Sequence, residues 1–193
     1  MKIFYINKTE RNNLINLASQ YINAGGLVIA KADTSYTILS DPNNKTAQKR
    51  MAKIKNDRNN KPISIFVDNK EDIICQIENE KVKIYIKQLL PNMITVIANI
   101  NMPGMRYIRR KTINQIIGNT KHFLTATSAN PSGLPPARNI SDIRKYFGNV
   151  ECMVLYEGLI PDCSSSTIIA VIDNKIKVLR QGPIKIDSSL ALR

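Results

Sequence analysis

The sequence predicts an α/β (α+β) fold: an open, twisted mixed sheet with helices packed on it. Three observations carry this. Segments with helical and strand patterns of apolar residues alternate along the chain. Residues 167–172 and 175–179 flank Asp173-Asn174, a two-residue hairpin signal that a purely parallel sheet would not contain. The phosphate signatures Gly-x-x-x-x-Gly-Lys-Ser/Thr and Gly-x-Gly-x-x-Gly are both missing, which leaves a P-loop or Rossmann reading little support.

Taken in order, Leu14, Leu17, Ala18, Tyr21 and Ile22 recur at helical spacing, with Thr9 as the expected N-cap and Gly25-Gly26 as the end. Residues 27–30 read as a short buried strand that runs into a polar turn, Lys31-Ala32-Asp33-Thr34-Ser35-Tyr36. Asp41-Pro42-Asn43-Asn44 is a second turn. Residues 46–55 form a basic helix with Ala47, Met51 and Ile54 inward, and 56–61 a charged loop. A strand at 63–67 precedes helices at 71–77 and 82–90, and a strand at 94–98 precedes the turn Met102-Pro103-Gly104 and a helix at 112–117. The apolar start at Leu124 belongs to a buried strand; 141–147 is a short helix with Ser141 as N-cap, and 152–156 is a strand. With no internal repeat and no linker, residues 1–193 are expected to form one domain.

Composition excludes several classes of function. Hydrophobic residues make up 43%, as in soluble globular proteins, and no apolar run approaches the roughly 18 residues that span a bilayer. The start, Met-Lys-Ile-Phe-Tyr-Ile-Asn-Lys, has no signal-peptide pattern, so the cytoplasm is the expected compartment and no membrane partner is expected. Cys75, Cys152 and Cys163 are widely spaced and odd in number, against both a disulfide framework and a structural zinc site. The one histidine, His122, precedes a strand start as a solvated loop residue. The chemistry must then come from groups other than imidazole or metal–thiolate. Lys and Arg number 28 against 15 Asp and Glu, a net charge of +13 spread along the chain, which favours nucleic acid or a phosphate-bearing ligand.

One stretch stands out, Leu124 through Arg138, where an apolar start gives way to Ser, Thr, Asn, Pro and Gly. Pro131 biases Asn130 towards an extended conformation, so Ser128 and Asn130 project to the same side. A hydroxyl, a carboxamide and the backbone N–H groups around Gly133 then make either an anion or nucleotide grip, or a surface turn with ordinary turn residues.

Across the chain an ordered series of motifs extends that reading: Asp33-Thr34-Ser35-Tyr36 with Asp41-Pro42, Ile54-Lys55-Asn56 leading to Lys61-Pro62, Leu89-Leu90-Pro91 with Thr95, Gly104-Met105-Arg106, Thr127-Ser128-Ala129-Asn130-Pro131-Ser132-Gly133, Ser166-Thr167-Ile168, and Arg180-Gln181-Gly182. In these residues and their order the chain resembles the YrdC/TsaC family of threonylcarbamoyl-AMP synthases, in a short single-domain form. The resemblance implies a YrdC-like sheet around a large basic cavity. It also implies an enzyme that condenses L-threonine, bicarbonate and ATP, with Mg2+ accompanying the ATP, to threonylcarbamoyladenylate and pyrophosphate. The product would pass to a threonylcarbamoyl transferase for the t6A modification of tRNA, with tRNA or other RNA as a further contact.

Carried over by the same resemblance, Lys55, Arg58, Lys61, Thr95, Ser128, Asn130, Arg138 and Arg180 are the expected ATP contacts, and Thr34, Tyr36, Arg106 and Ser166 the expected threonine contacts. No residue is assigned as catalytic and no metal ligand is expected. Plainer readings remain beside these: Lys55 as a solvated helix end, Tyr36 as core, Thr95 as an ordinary strand residue. The chain departs from the family pattern at Lys31-Ala32, Thr37, Asn92-Met93 and Ile108-Arg109-Arg110. Asp57 stands where the family has an arginine, with Arg58 one place late. A relative that binds RNA or a nucleotide without making the adenylate is the second reading, favoured by Arg109-Arg110-Lys111.

Overall fold

The structure, a computed structural model, describes residues 1–55 and 63–187. Its strands are β1 (Lys2–Tyr5), β2 (Val28–Lys31), β3 (Tyr36–Ser40), β4 (Ser64–Val67), β5 (Ile94–Ile97), β6 (Met105–Tyr107), β7 (Leu124–Ser128), β8 (Met153–Tyr156), β9 (Thr167–Ile172) and β10 (Lys175–Arg180). They form one sheet in the order β1-β8-β2-β3-β7-β4-β6-β5-β9-β10. Neighbours pair parallel at β1/β8, β2/β8, β4/β6 and β5/β9, and antiparallel elsewhere, so the sheet is mixed as the sequence predicts. The hairpin turn forms at Asp173 and Asn174, both with positive φ (50° and 60°), as a type I′ turn requires.

The helices are α1 (Arg11–Asn23), α2 (Lys45–Ile54), α3 (Glu71–Ile74), α4 (Glu80–Leu89), α5 (Lys111–Thr120) and α6 (Ile140–Phe147). Strand alternation decides what each covers. From β2, Val28 and Ala30 pack with Ile15, Ala18 and Ile22 of α1 and Ile113, Ile116 and Ile117 of α5. Ile29 faces the other way, with Met51 of α2 and Ile143 and Phe147 of α6. This half of the sheet is sandwiched between helices, which is why β2 reads as a continuous apolar run.

The other half is covered differently. Ile65 and Val67 of β4, Ile94 and Val96 of β5, Met105 of β6 and Ile169 of β9 pack against Ile73 of α3 and Val82 and Ile86 of α4. The intervening residues Thr95, Ile97, Arg106 and Ile168 line an open space instead, together with Phe66, which also joins the core under α1 and α5. That uncovered face holds the site.

Several local expectations need correction. Glu10, not Thr9, stands at the N-cap of α1 and makes no side-chain cap bond; Asn7 Oδ1 accepts the Glu10 N–H at 2.8 Å instead. Asn139, not Ser141, caps α6, its Oδ1 accepting the Asp142 N–H at 2.9 Å; an asparagine two places earlier meets the free N–H groups of the first turn. The helix expected at 71–77 ends at Ile74, where tighter i to i−3 bonds from Gln76 and Ile77 replace the α pattern. β1, β3 and β6 form where the sequence signalled no strand, since each is recruited by pairing to neighbours already in the sheet. The loop expected at 56–61 lies outside the described residues. No helix among the described residues is long and apolar enough to cross a membrane.

Candidate functional site

A cavity of about 580 Å³ opens on the uncovered face, lined from β3, β4, β5, β6, β7, β9 and β10, the end of α2 and the turns at 32–35 and 130–133. Of the residues expected at a site, Thr34, Lys55, Thr95, Arg106, Ser128, Asn130, Ser166 and Arg180 all line it. Residues distant in sequence thus share one wall because the crossovers bring β7 beside β4 and β9 beside β5.

At one end, Lys55 closes α2 and turns its ammonium onto the exit of β7. Nζ donates to Ser128 O at 2.7 Å, Asn130 Oδ1 at 2.8 Å and Asn130 O at 2.9 Å, with Ser128 Oγ at 3.3 Å. Three protons meet three close oxygens, so the ammonium is saturated by one short turn. Ser128 Oγ also donates to Asn130 Oδ1 at 2.6 Å, and Asn130 Nδ2 to Leu134 O at 2.5 Å. Ser128 and Asn130 therefore do face the same side, as period two requires, and the turn is held from both ends. Burial pulls the Lys55 ammonium down to about 8, from 10.5, because a charge in a half-dry wall is poorly solvated.

The other end carries two arginines. Arg106 of β6 is 7% exposed, donates from Nη2 to Asp33 Oδ1 at 2.5 Å, and lies with its guanidinium carbon 5.8 Å from the Phe66 ring centroid. Its Nε is buried with no partner among the described residues. Burial lowers its pKa, the Asp33 carboxylate opposes that, and Arg180 adds to it. Arg180 of β10 donates from Nε to Ser166 O at 3.0 Å and from Nη2 to Ser166 Oγ at 3.1 Å. Thr95 Oγ1 lies 3.0 Å from the same Ser166 Oγ. Burial lowers the Arg180 pKa as well.

Two glycines make this packing possible. A Cβ on Gly104 would lie 2.8 Å from Thr95 Cγ2, and one on Gly182 would collide with the backbone of Ser165 and Thr167. The second lets the chain after Arg180 fold back against Ser166.

Two expected residues lie elsewhere. Tyr36 is fully buried behind the wall, stacked on Tyr156 with centroids 5.7 Å apart. Its hydroxyl donates to Gly158 O at 2.7 Å and accepts the Glu157 N–H at 3.1 Å, and burial raises its pKa. Arg138 bonds to Cys163 O and pairs with Asp162, bracing the connection between β8 and β9. Lys31 grips the same connection through Glu157 O and Leu159 O at 3.0 and 2.9 Å. Arg58 and Lys61, with Asp57, lie outside the described residues. His122 is partly exposed in its loop, and Arg109, Arg110 and Lys111 open α5 without lining the cavity.

Sequence reasoning missed Ser64, Phe66, Ile97, Ala126, Ile168 and Leu179 as cavity residues. An apolar strand residue carries no mark of whether it faces a helix or a cavity. Asp33 lies in one of the motifs but carries no predicted role, because a carboxylate 73 positions from the arginine it pairs with has no sequence signal.

Comparison with known proteins places the chain. The Sua5/YciO/YrdC family model, described as "Telomere recombination", matches residues 20–182. A Methanocaldococcus jannaschii protein provisionally named threonylcarbamoyl-AMP synthase is 31% identical over 195 residues, covering 96% of this chain and 94% of that protein. The structure of P. abyssi Sua5 complexed with L-threonine superposes with a TM-score of 0.83 at 20% identity, over 98% of this chain and 60% of that one. E. coli YciO superposes with a TM-score of 0.82 at 18% identity, over 97% of this chain and 98% of that one. The two structural likenesses show a shared fold, and the chain spans about six tenths of the length of Sua5. The motif order, the mixed sheet and these matches agree: the chain belongs to the Sua5/YciO/YrdC family.

Proposed function

We propose that the chain is a nucleotidyltransferase, an L-threonylcarbamoyladenylate synthase, which condenses L-threonine, bicarbonate and ATP and releases pyrophosphate. The observation that carries this is Ser166. Its hydroxyl, on the expected threonine side, is within hydrogen-bond distance of both Thr95 and Arg180, on the expected ATP side. Two substrates held by those groups would meet at one point, as a bimolecular reaction between anions needs. The provisional name of the M. jannaschii relative and the L-threonine in P. abyssi Sua5 support the same reading.

The chemistry has two steps. The threonine amine takes up bicarbonate to give a carbamate and water. A carbamate oxygen then attacks the α-phosphorus of ATP, and pyrophosphate leaves with its bond to that phosphorus broken. Each step gathers negative charge, and the residues answer it. On this reading Lys55, Ser128 and Asn130 hold the phosphate end, Arg106 takes the threonine carboxylate, and Arg180, bonded to Ser166, stands on the ATP side where carbamate and α-phosphate meet. Arg58 and Lys61 belong to the proposed phosphate set by their motif. A Mg2+ ion would accompany the triphosphate and neutralise charge on the leaving pyrophosphate. The adenylate would pass to a threonylcarbamoyl transferase for tRNA t6A formation.

The test is pyrophosphate release by the purified chain. The reading requires release from ATP only when L-threonine and bicarbonate are both present. ATP binding without that dual dependence refutes it and leaves the nucleotide- or RNA-binding alternative.

A further inference from the structure

We infer that Asp33 is a positioning residue for the arginine end, holding the Arg106 guanidinium in place so that its remaining donors serve a ligand carboxylate in the cavity. The inference rests on the proposed function for the identity of that ligand, L-threonine, and on geometry alone for the positioning.

Asp33 itself does not line the cavity, although Ala32, Thr34 and Ser35 around it do. It reaches Arg106 across 73 residues of sequence from the turn before β3 and accepts from Nη2 at 2.5 Å. The Phe66 ring supports the guanidinium, and Arg106 itself is more than nine-tenths buried. A group so placed has few orientations open to it. Its Nε is shielded from solvent and has no partner among the described residues, while the side chain as a whole lines the cavity, so one donor is tied to Asp33 and at least one is unspent. A planar fork with one tine tied and the others unspent matches a carboxylate, which takes two parallel N–H bonds.

Two variants and two readouts test this. With Asp33→Ala the L-threonine KM should rise about tenfold or more, while kcat and the ATP KM stay within about twofold, because the interaction lost is ground-state binding at one end. Asp33→Asn keeps an acceptor for Nη2 and should return the L-threonine KM to within about threefold of the wild type. Equal losses in both variants, or equal rises in the two substrates' KM values, would overturn the inference.

The second readout needs no substrate. The 15N–1H signal of Arg106 Nε, assigned by its absence in Arg106→Lys, should be resolved and slow to exchange in the wild type, broadened in Asp33→Ala and retained in Asp33→Asn. An unchanged signal in Asp33→Ala refutes the positioning whatever the substrate proves to be. If the wild type shows no L-threonine dependence, the proposed function fails while this signal still decides the role of Asp33.

Discussion

The two ends of the cavity present cations in the same half-dry space by different means. Lys55 is spent on its own protein: a compact ammonium with three protons sits on three oxygens from Ser128 and Asn130. Arg106 is only partly spent, one donor going to Asp33 and Nε having no partner among the described residues. On the proposed function, a phosphate arriving at the first end would have to take protons away from the Ser128–Asn130 turn, whereas a carboxylate arriving at the second would meet a guanidinium already held by Asp33. The difference teaches that a cation saturated by its own protein has to give up bonds before it can bind a ligand, and one with an unspent donor does not. The lysine end also draws its acceptors from one strand exit, while the arginine end needs β4, β5, β6, β9 and β10 in register.

The harshest way to break this contrast is Arg106→Ala. It removes the ligand's donors and leaves Asp33 beside the cavity without its cation, so threonine-dependent pyrophosphate release should fall about a hundredfold or more, with stability lowered by about 3 kcal/mol in urea titrations. Lys55→Met keeps the stem and deletes the charge. The ATP KM should then rise about tenfold to a hundredfold with the L-threonine KM nearly unchanged, measured by steady-state pyrophosphate release. Equal effects of Lys55→Met on both substrates would erase the distinction between the ends.

Acidity sharpens it further. Lys55 loses its proton near pH 8 in the folded chain but keeps it up to about 10.5 when unfolded. ATP affinity should therefore weaken as pH rises through about 8, and Lys55→Arg, charged throughout, should flatten that dependence in titration calorimetry. Stability should move the opposite way. Between those two values the unfolded chain binds more protons, so the folded state gains as pH rises and the desolvated charge is relieved.

Smaller effects mark the border of the site. Tyr36→Phe leaves Gly158 O and the Glu157 N–H unpaired and should cost about 1–2 kcal/mol in thermal or urea unfolding, with both KM values unchanged. A large rise in the L-threonine KM would instead bring Tyr36 into the binding wall. Asn139→Ala removes the cap of α6 and should cost about 1 kcal/mol with no effect on turnover.

What sequence alone determined was local or self-contained. The hairpin at Asp173-Asn174 was legible because left-handed backbone demands particular residues. The inner face of α2 showed in its helical period, and Ser128 with Asn130 were placed on one side by strand alternation and Pro131. The ordered motifs named the family even where single positions had drifted, because they stand for many separate constraints.

Tertiary structure alone decided the rest. It made strands of β1, β3 and β6, whose short segments gain their hydrogen bonds from partners far along the chain. It put Tyr36 in the core and Arg138 on the connection between β8 and β9. It sent Ile97 and Ile168 to a cavity rather than to a helix. And it joined Asp33 to Arg106. The physical reason is the same in each case: which face of a strand is covered, and which charge meets which, are set by pairing across the sheet, and no residue carries that information by itself.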